Sequence, residues 1–80
     1  MLRTLVKTDE LDFEQHAVAV RYFEERTGRG ARRYSAEIVL GPDDRVILDD
    51  DSVTTLEARA ARLVPATLYS RMLAGPATAA

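Results

Sequence analysis

Cysteine is absent and histidine occurs once, as His16, so disulfides and thiolate metal sites are unavailable and a zinc centre of the usual Cys/His kind lacks a ligand set. No apolar run approaches the roughly 18 residues of a membrane helix. The opening Met1 to Lys7 is too short an apolar start for a secretory signal, and Lys7 to Gln15 is polar and acidic. The missing cysteine fits a reducing compartment, so the expectation is a cytoplasmic protein with no membrane partner. Lysine is nearly missing as well: ten of the eleven cationic side chains are arginine, which with twelve alanines suits a base-composition bias in the encoding genome. A glycine-rich phosphate loop, a nucleophile elbow and a metalloprotease histidine pair are all lacking. Gly28-Arg29-Gly30 is only G-x-G and separates two strand-like runs, whereas a dinucleotide fingerprint bridges strand to helix. Neither a cofactor nor an enzymatic activity is expected.

What remains is a chain of 80 residues with a net charge of -2, enough for one small domain. Its 46% hydrophobic content overstates the core, because 12 of those 37 residues are alanine and 25 are larger. So small a core barely exceeds the conformational entropy it opposes. With no metal or disulfide to supplement it, self-association as a homodimer is the expected remedy, and a small non-enzymatic interaction or regulatory module working through its C-terminal helix or an exposed sheet edge is the leading expectation.

Residues 16–49 alternate as a meander. Val18, Val20 and Tyr22 share one face of a first run, with Ala17, Ala19, Arg21 and Phe23 on the other. Thr27-Gly28-Arg29-Gly30 breaks the pattern. Tyr34, Ala36, Ile38 and Leu40 share a face of the second run, Gly41-Pro42-Asp43-Asp44 marks a turn, and Arg45 to Asp49 forms a third strand. Helical patterning follows over 52–74, with Thr54-Thr55-Leu56-Glu57 fitting a capping box and Gly75-Pro76 ending the run. The predicted class is α+β: a three-stranded antiparallel meander, with a fourth strand if residues 1–15 supply one, then a helical segment bent or broken near Pro65. For residues 1–15 the alternatives are a strand carrying Leu2, Thr4 and Val6, or a helical turn opening at Thr8 to Leu11. The tail 75–80 is expected to be disordered.

Leu56, Ala60 and Leu63 fall on one side of this helix, while Leu68, Tyr69, Met72 and Leu73 centre roughly opposite. A bend at Val64-Pro65 would bring both stripes to one core. Otherwise a partner covers the second stripe, which makes Leu68, Tyr69, Met72 and Leu73 the partner-interface candidates.

Charge is segregated along the chain. Arg26, Arg29, Arg32 and Arg33 lie in a stretch without an acid, and their forked donors suit phosphate or carboxylate. They are the anion-binding candidates, whose alternative is a solvated loop paired with nearby acids. Nucleic acid is disfavoured by a pI near 5.3, since affinity grows with each phosphate neutralised. Asp43, Asp44, Asp49, Asp50 and Asp51 lack the glycine and glutamate spacing of a calcium loop, so turn formation and helix capping account for them and no metal is expected. His16 has no motif tying it to a nucleophile, and a surface position is expected for it.

Overall fold

In a computed structural model describing residues 3–74, four strands precede one helix: β1 (Arg3–Phe13), β2 (His16–Arg26), β3 (Arg32–Gly41), β4 (Asp44–Asp50) and α1 (Val53–Ala74). The strands form one sheet in the order β1-β2-β3-β4, each antiparallel to the next. This is the α+β meander expected, with its fourth strand present. The tail 75–80 lies outside the described residues.

The helical turn considered for Thr8 to Leu11 does not form. Those residues belong to β1, where Asp9 pairs with Val20 and Leu11 with Val18. A register shift between Leu5 and Lys7 accommodates Val6 as a bulge, which also interrupts the alternation by which a strand is recognised. Beyond it, Lys7, Asp9, Leu11 and Phe13 point to the side that α1 covers.

The β1–β2 connection is a two-residue turn in which both central residues, Glu14 at φ 47° and Gln15 at φ 69°, occupy the left-handed region. Such turns match the twist of the strands but favour Asn-Gly, because a Cβ crowds the backbone there at roughly 1 kcal/mol or more per residue. Replacing Glu14 by Asn and Gln15 by Gly is therefore expected to stabilise the fold by about 1 to 2 kcal/mol. A higher urea midpoint at unchanged slope is the expected readout; an unchanged midpoint would refute the strain.

Ser52 caps α1. Its hydroxyl accepts a hydrogen bond from the Thr55 amide at 3.3 Å, and its carbonyl accepts one from Leu56 at 3.1 Å. The capping box expected at Thr54 and Glu57 does not form: the cap lies two residues earlier, and Glu57 instead engages Lys7. The helix then continues through Pro65 to Ala74 as a single element, so of the bend or break expected near Pro65 a break does not occur. One stripe, Leu56, Ala60, Val64 and Leu68, is buried along its length. Its members are four residues apart, and at 100° per residue each step drifts by about 40°. Three steps place Leu68 about 120° around the helix from Leu56, yet both are buried in one core, so the covered stripe winds around α1.

The core lies between α1 and one sheet face, where Val18, Val20 and Tyr22 of β2 and Ala36 and Ile38 of β3 meet the helical stripe. Ionic contacts flank the helix. Lys7 lies between Asp9, at 3.3 Å, and Glu57. Arg59 donates to the Asp49 carbonyl at 2.9 Å and lies 3.4 Å from the Asp50 carboxylate. Arg71 grips Asp44 through two bonds, at 2.6 and 2.8 Å. The Glu57 hydrogen bond raises the Lys7 pKa, and that from Arg71 lowers the Asp44 pKa. Burial raises the Tyr22 phenol above its usual value.

Candidate interaction surfaces

One helix covers one side of a sheet, and among the described residues no second layer covers the other. Strand alternation turns Ala17, Ala19, Arg21, Phe23 and Glu25 of β2 to this open face, beside Arg33, Ser35, Glu37 and Val39 of β3. The edge strands add Leu5, Thr8, Glu10 and Asp12 from β1 and Arg45, Ile47 and Asp49 from β4. One rung runs straight across: Thr8, Arg21, Glu37 and Ile47 are successive cross-strand partners.

The middle of that rung is the most structured part of the face. Glu37 is buried, with its side chain only 8% exposed, because Arg45 approaches it at 3.1 Å and Arg21 at 3.7 Å while both arginines stay more than half exposed. Such partly solvated pairs contribute little stability. Their consequence is positional: two guanidiniums lie over one carboxylate. Ser35, on the next rung, has a buried hydroxyl with no hydrogen-bond partner among the described residues. Around them stand half-buried Phe23 and Val39, and Leu5 and Ile47 at 52% and 50% exposure. The Arg3 guanidinium lies 3.8 Å from the centroid of the Phe23 ring and 3.3 Å from Glu25.

The helical partner-interface candidates separate. Leu68 belongs to the core, a correction that follows from the drift of the buried stripe, whereas Tyr69 and Leu73 are 61% and 71% exposed. The Met72 side chain lies outside what the structure describes. The open sheet face was missed as a surface, although the alternation of β2 and β3 contained its residues; sequence does not say that a single helix leaves one side bare.

Arg26, Arg29, Arg32 and Arg33 come together on the β2–β3 hairpin, all exposed. Gly30, at φ 81°, closes the loop by donating to the Thr27 carbonyl at 2.9 Å. The Thr27 hydroxyl accepts from the amides of Arg29 at 3.3 Å and Ala31 at 3.1 Å. Arg26 and Arg32 are direct cross-strand partners.

Two shallow grooves flank α1. One, about 290 Å³, is lined by Leu48, Arg59, Arg62, Leu63 and Ala66; the other, about 220 Å³, lies against Leu11, Phe13, Val64 and Pro65. His16 sits exposed beside the β1–β2 turn, its Nδ1 3.0 Å from the Glu14 carbonyl oxygen, and pairs with no carboxylate or hydroxyl among the described residues. No cluster of three potential metal ligands occurs among them. No helix there is long and apolar enough to cross a membrane. Comparisons with protein families, with curated proteins and with solved structures find no match to this chain.

Proposed function

We propose that the protein is a non-enzymatic interaction module that pairs with a second copy of itself through the open face of its sheet. The observation that carries this reading is the uncovered sheet face, on which Leu5 and Ile47 are about half exposed beside half-buried Phe23 and Val39, with oppositely charged residues at its two ends. Consider a two-fold axis lying along the Thr8–Arg21–Glu37–Ile47 rung. It sets each strand antiparallel to its counterpart and uses the same patch on both copies, an isologous contact. Ile47 then meets Ile47 of the second copy, and Phe23 lies over Ala19. Asp49 of one copy falls over Arg45 of the other, and Arg3 over Asp12. Opposite charges meet at both ends, while on the axis Arg21 and Glu37 each face their own counterpart, like charges that stay balanced by the Arg21–Glu37 pair within each copy.

Geometry also supports a contact of useful size. Four strands about 4.8 Å apart and seven residues long at about 3.3 Å each present roughly 400 to 500 Å² per copy. The doubled figure approaches the roughly 1,000 Å² of a specific interface, which suits a concentration-dependent dimer.

Light scattering across a dilution series tests the reading. The wild type is expected to dimerise, Ile47→Asp to remain monomeric, and Leu73→Asp to behave as wild type. Arg45→Asp is expected to weaken the dimer and the double variant Arg45→Asp with Asp49→Arg to restore it. A wild type monomeric at high concentration would refute the proposal. Dissociation by Leu73→Asp alone would shift the contact to the exposed end of α1.

A further inference from the structure

The β2–β3 hairpin carries a concentration of charge that the rest of the molecule does not share. Arg3, Lys7, Arg21, Arg45, Arg59 and Arg71 each lie within 4 Å of a carboxylate. Among the described residues, Arg26, Arg29, Arg32 and Arg33 have no such partner, and all four fall within one loop and its flanking rungs. Glu25, directly across from Arg33, is engaged by Arg3. Glu24, two residues before Arg26, lies 3.4 Å from the Tyr34 hydroxyl.

We propose that this hairpin tip is a binding site for a compact ligand with consecutive phosphates, held by Arg26 and Arg32 from opposite strands and by Arg29 at the turn. Cross-strand partners lie about 5 Å apart at their Cα atoms, and like charges in that position repel. An anion between Arg26 and Arg32 reverses the sign of that interaction, and each guanidinium offers a fork matched to phosphate oxygens. The side chains point to the same face of the sheet, because direct partners share a face.

The loop is organised to present arginines and not its own backbone. The Arg29 and Ala31 amides are taken up by the Thr27 hydroxyl, and the Gly30 amide by the Thr27 carbonyl. A backbone anion nest is therefore unavailable, and recognition rests on the guanidiniums. The same bonds fix the position of Arg29, which reduces the ordering cost of binding.

Size and charge select the ligand class. Two opposed arginines and a third at the turn span two to three phosphates. A duplex or long single strand would extend past the tip toward Glu24, Glu25, Asp49, Asp50 and Asp51 on a chain of net charge -2. A free triphosphate and the triphosphate of a nucleotide share the chemistry the site recognises.

Calorimetric titration of the full chain with inorganic triphosphate at low salt tests the proposal, with adenosine triphosphate and a 12-nucleotide single strand as parallel probes. Saturable one-to-one binding of triphosphate is expected, weakening as salt rises. The variant Arg26→Gln with Arg32→Gln is expected to bind at least 10-fold more weakly while melting like wild type. Arg62→Gln, which removes a cation far from the hairpin, is expected to bind as wild type does. Equal affinity for the two triphosphates assigns recognition to the phosphate chain, and tighter binding of the nucleotide adds a contact from its base; both support the site. No binding at low salt, undiminished binding by the double variant, or an equal loss in Arg62→Gln would overturn it. Binding of the single strand in preference to both triphosphates would also overturn it, in favour of an extended polyanion.

Discussion

Replacing Leu56 by alanine is expected to destabilise the chain by about 3 to 4 kcal/mol, the range in which a buried leucine leaves a cavity its neighbours only partly fill. Leu56 is fully buried in the first turn of α1, four residues from the Ser52 cap. It belongs to the cluster joining the helix to Val20, Tyr22, Ala36 and Ile38. A domain of this size has few kcal/mol to lose, so much of the population should unfold at moderate temperature. Urea unfolding at a fixed protein concentration gives the test, since proposed dimerisation would make stability concentration-dependent. A loss under 1 kcal/mol would show that Leu56 does not hold the helix to the sheet. Leu73→Ala serves as the internal contrast: at 71% exposure it should cost no more than a few tenths of a kcal/mol.

The middle of the fold was legible because burial on one face writes a period of two into sequence. Val18, Val20 and Tyr22, then Tyr34, Ala36, Ile38 and Leu40, carry that signal, and Gly41-Pro42-Asp43 marks a turn in ordinary turn residues. β1 was hard to read for three physical reasons. A bulge at Val6 breaks the period, Lys7 and Asp9 put polar groups on the helix side, and Glu14-Gln15 makes a tight turn without glycine or asparagine. The helix bounds agree to one residue, but the cap differs because Ser52 and Thr54 both offer a hydroxyl, and the structure shows Ser52 meeting the Thr55 amide.

The helix also exposes the weakness of reading stripes at fixed azimuth. Leu56, Ala60 and Leu63 suggested one side and Leu68 the other, yet a core that follows i+4 spacing turns gradually around the helix. Val64, beside the proline, supplies the missing step. For function, sequence located the arginine hairpin by composition alone, since four arginines in eight residues need no fold to be noticed. The open sheet face needed the fold, because its content depends on how strands pair and where the helix lies.

Alanine adds little apolar volume, yet two alanines sit where the spacing between helix and sheet is set. Ala36 and Ala60 are both fully buried in the cluster between sheet and helix, and α1 makes its most extensive approach to β3. Small side chains let the helix lie close enough for Leu56 and Val64 to reach the strands. Ala60→Leu is accordingly expected to cost about 3 kcal/mol, the upper part of the range for forcing extra carbons into a packed core. The helix must lift or the sheet must yield, and either opens contacts made by its neighbours in the stripe. Ala60→Gly separates this from helix propensity, which accounts for about 1 kcal/mol. Ala66→Leu separates it from leucine itself, because Ala66 is exposed at a groove of about 290 Å³ that has room for the added carbons. That variant should unfold at the wild-type urea concentration or above it. If Ala60→Leu and Ala66→Leu shift the midpoint alike, close packing at Ala60 is refuted, and the alanines return to being filler.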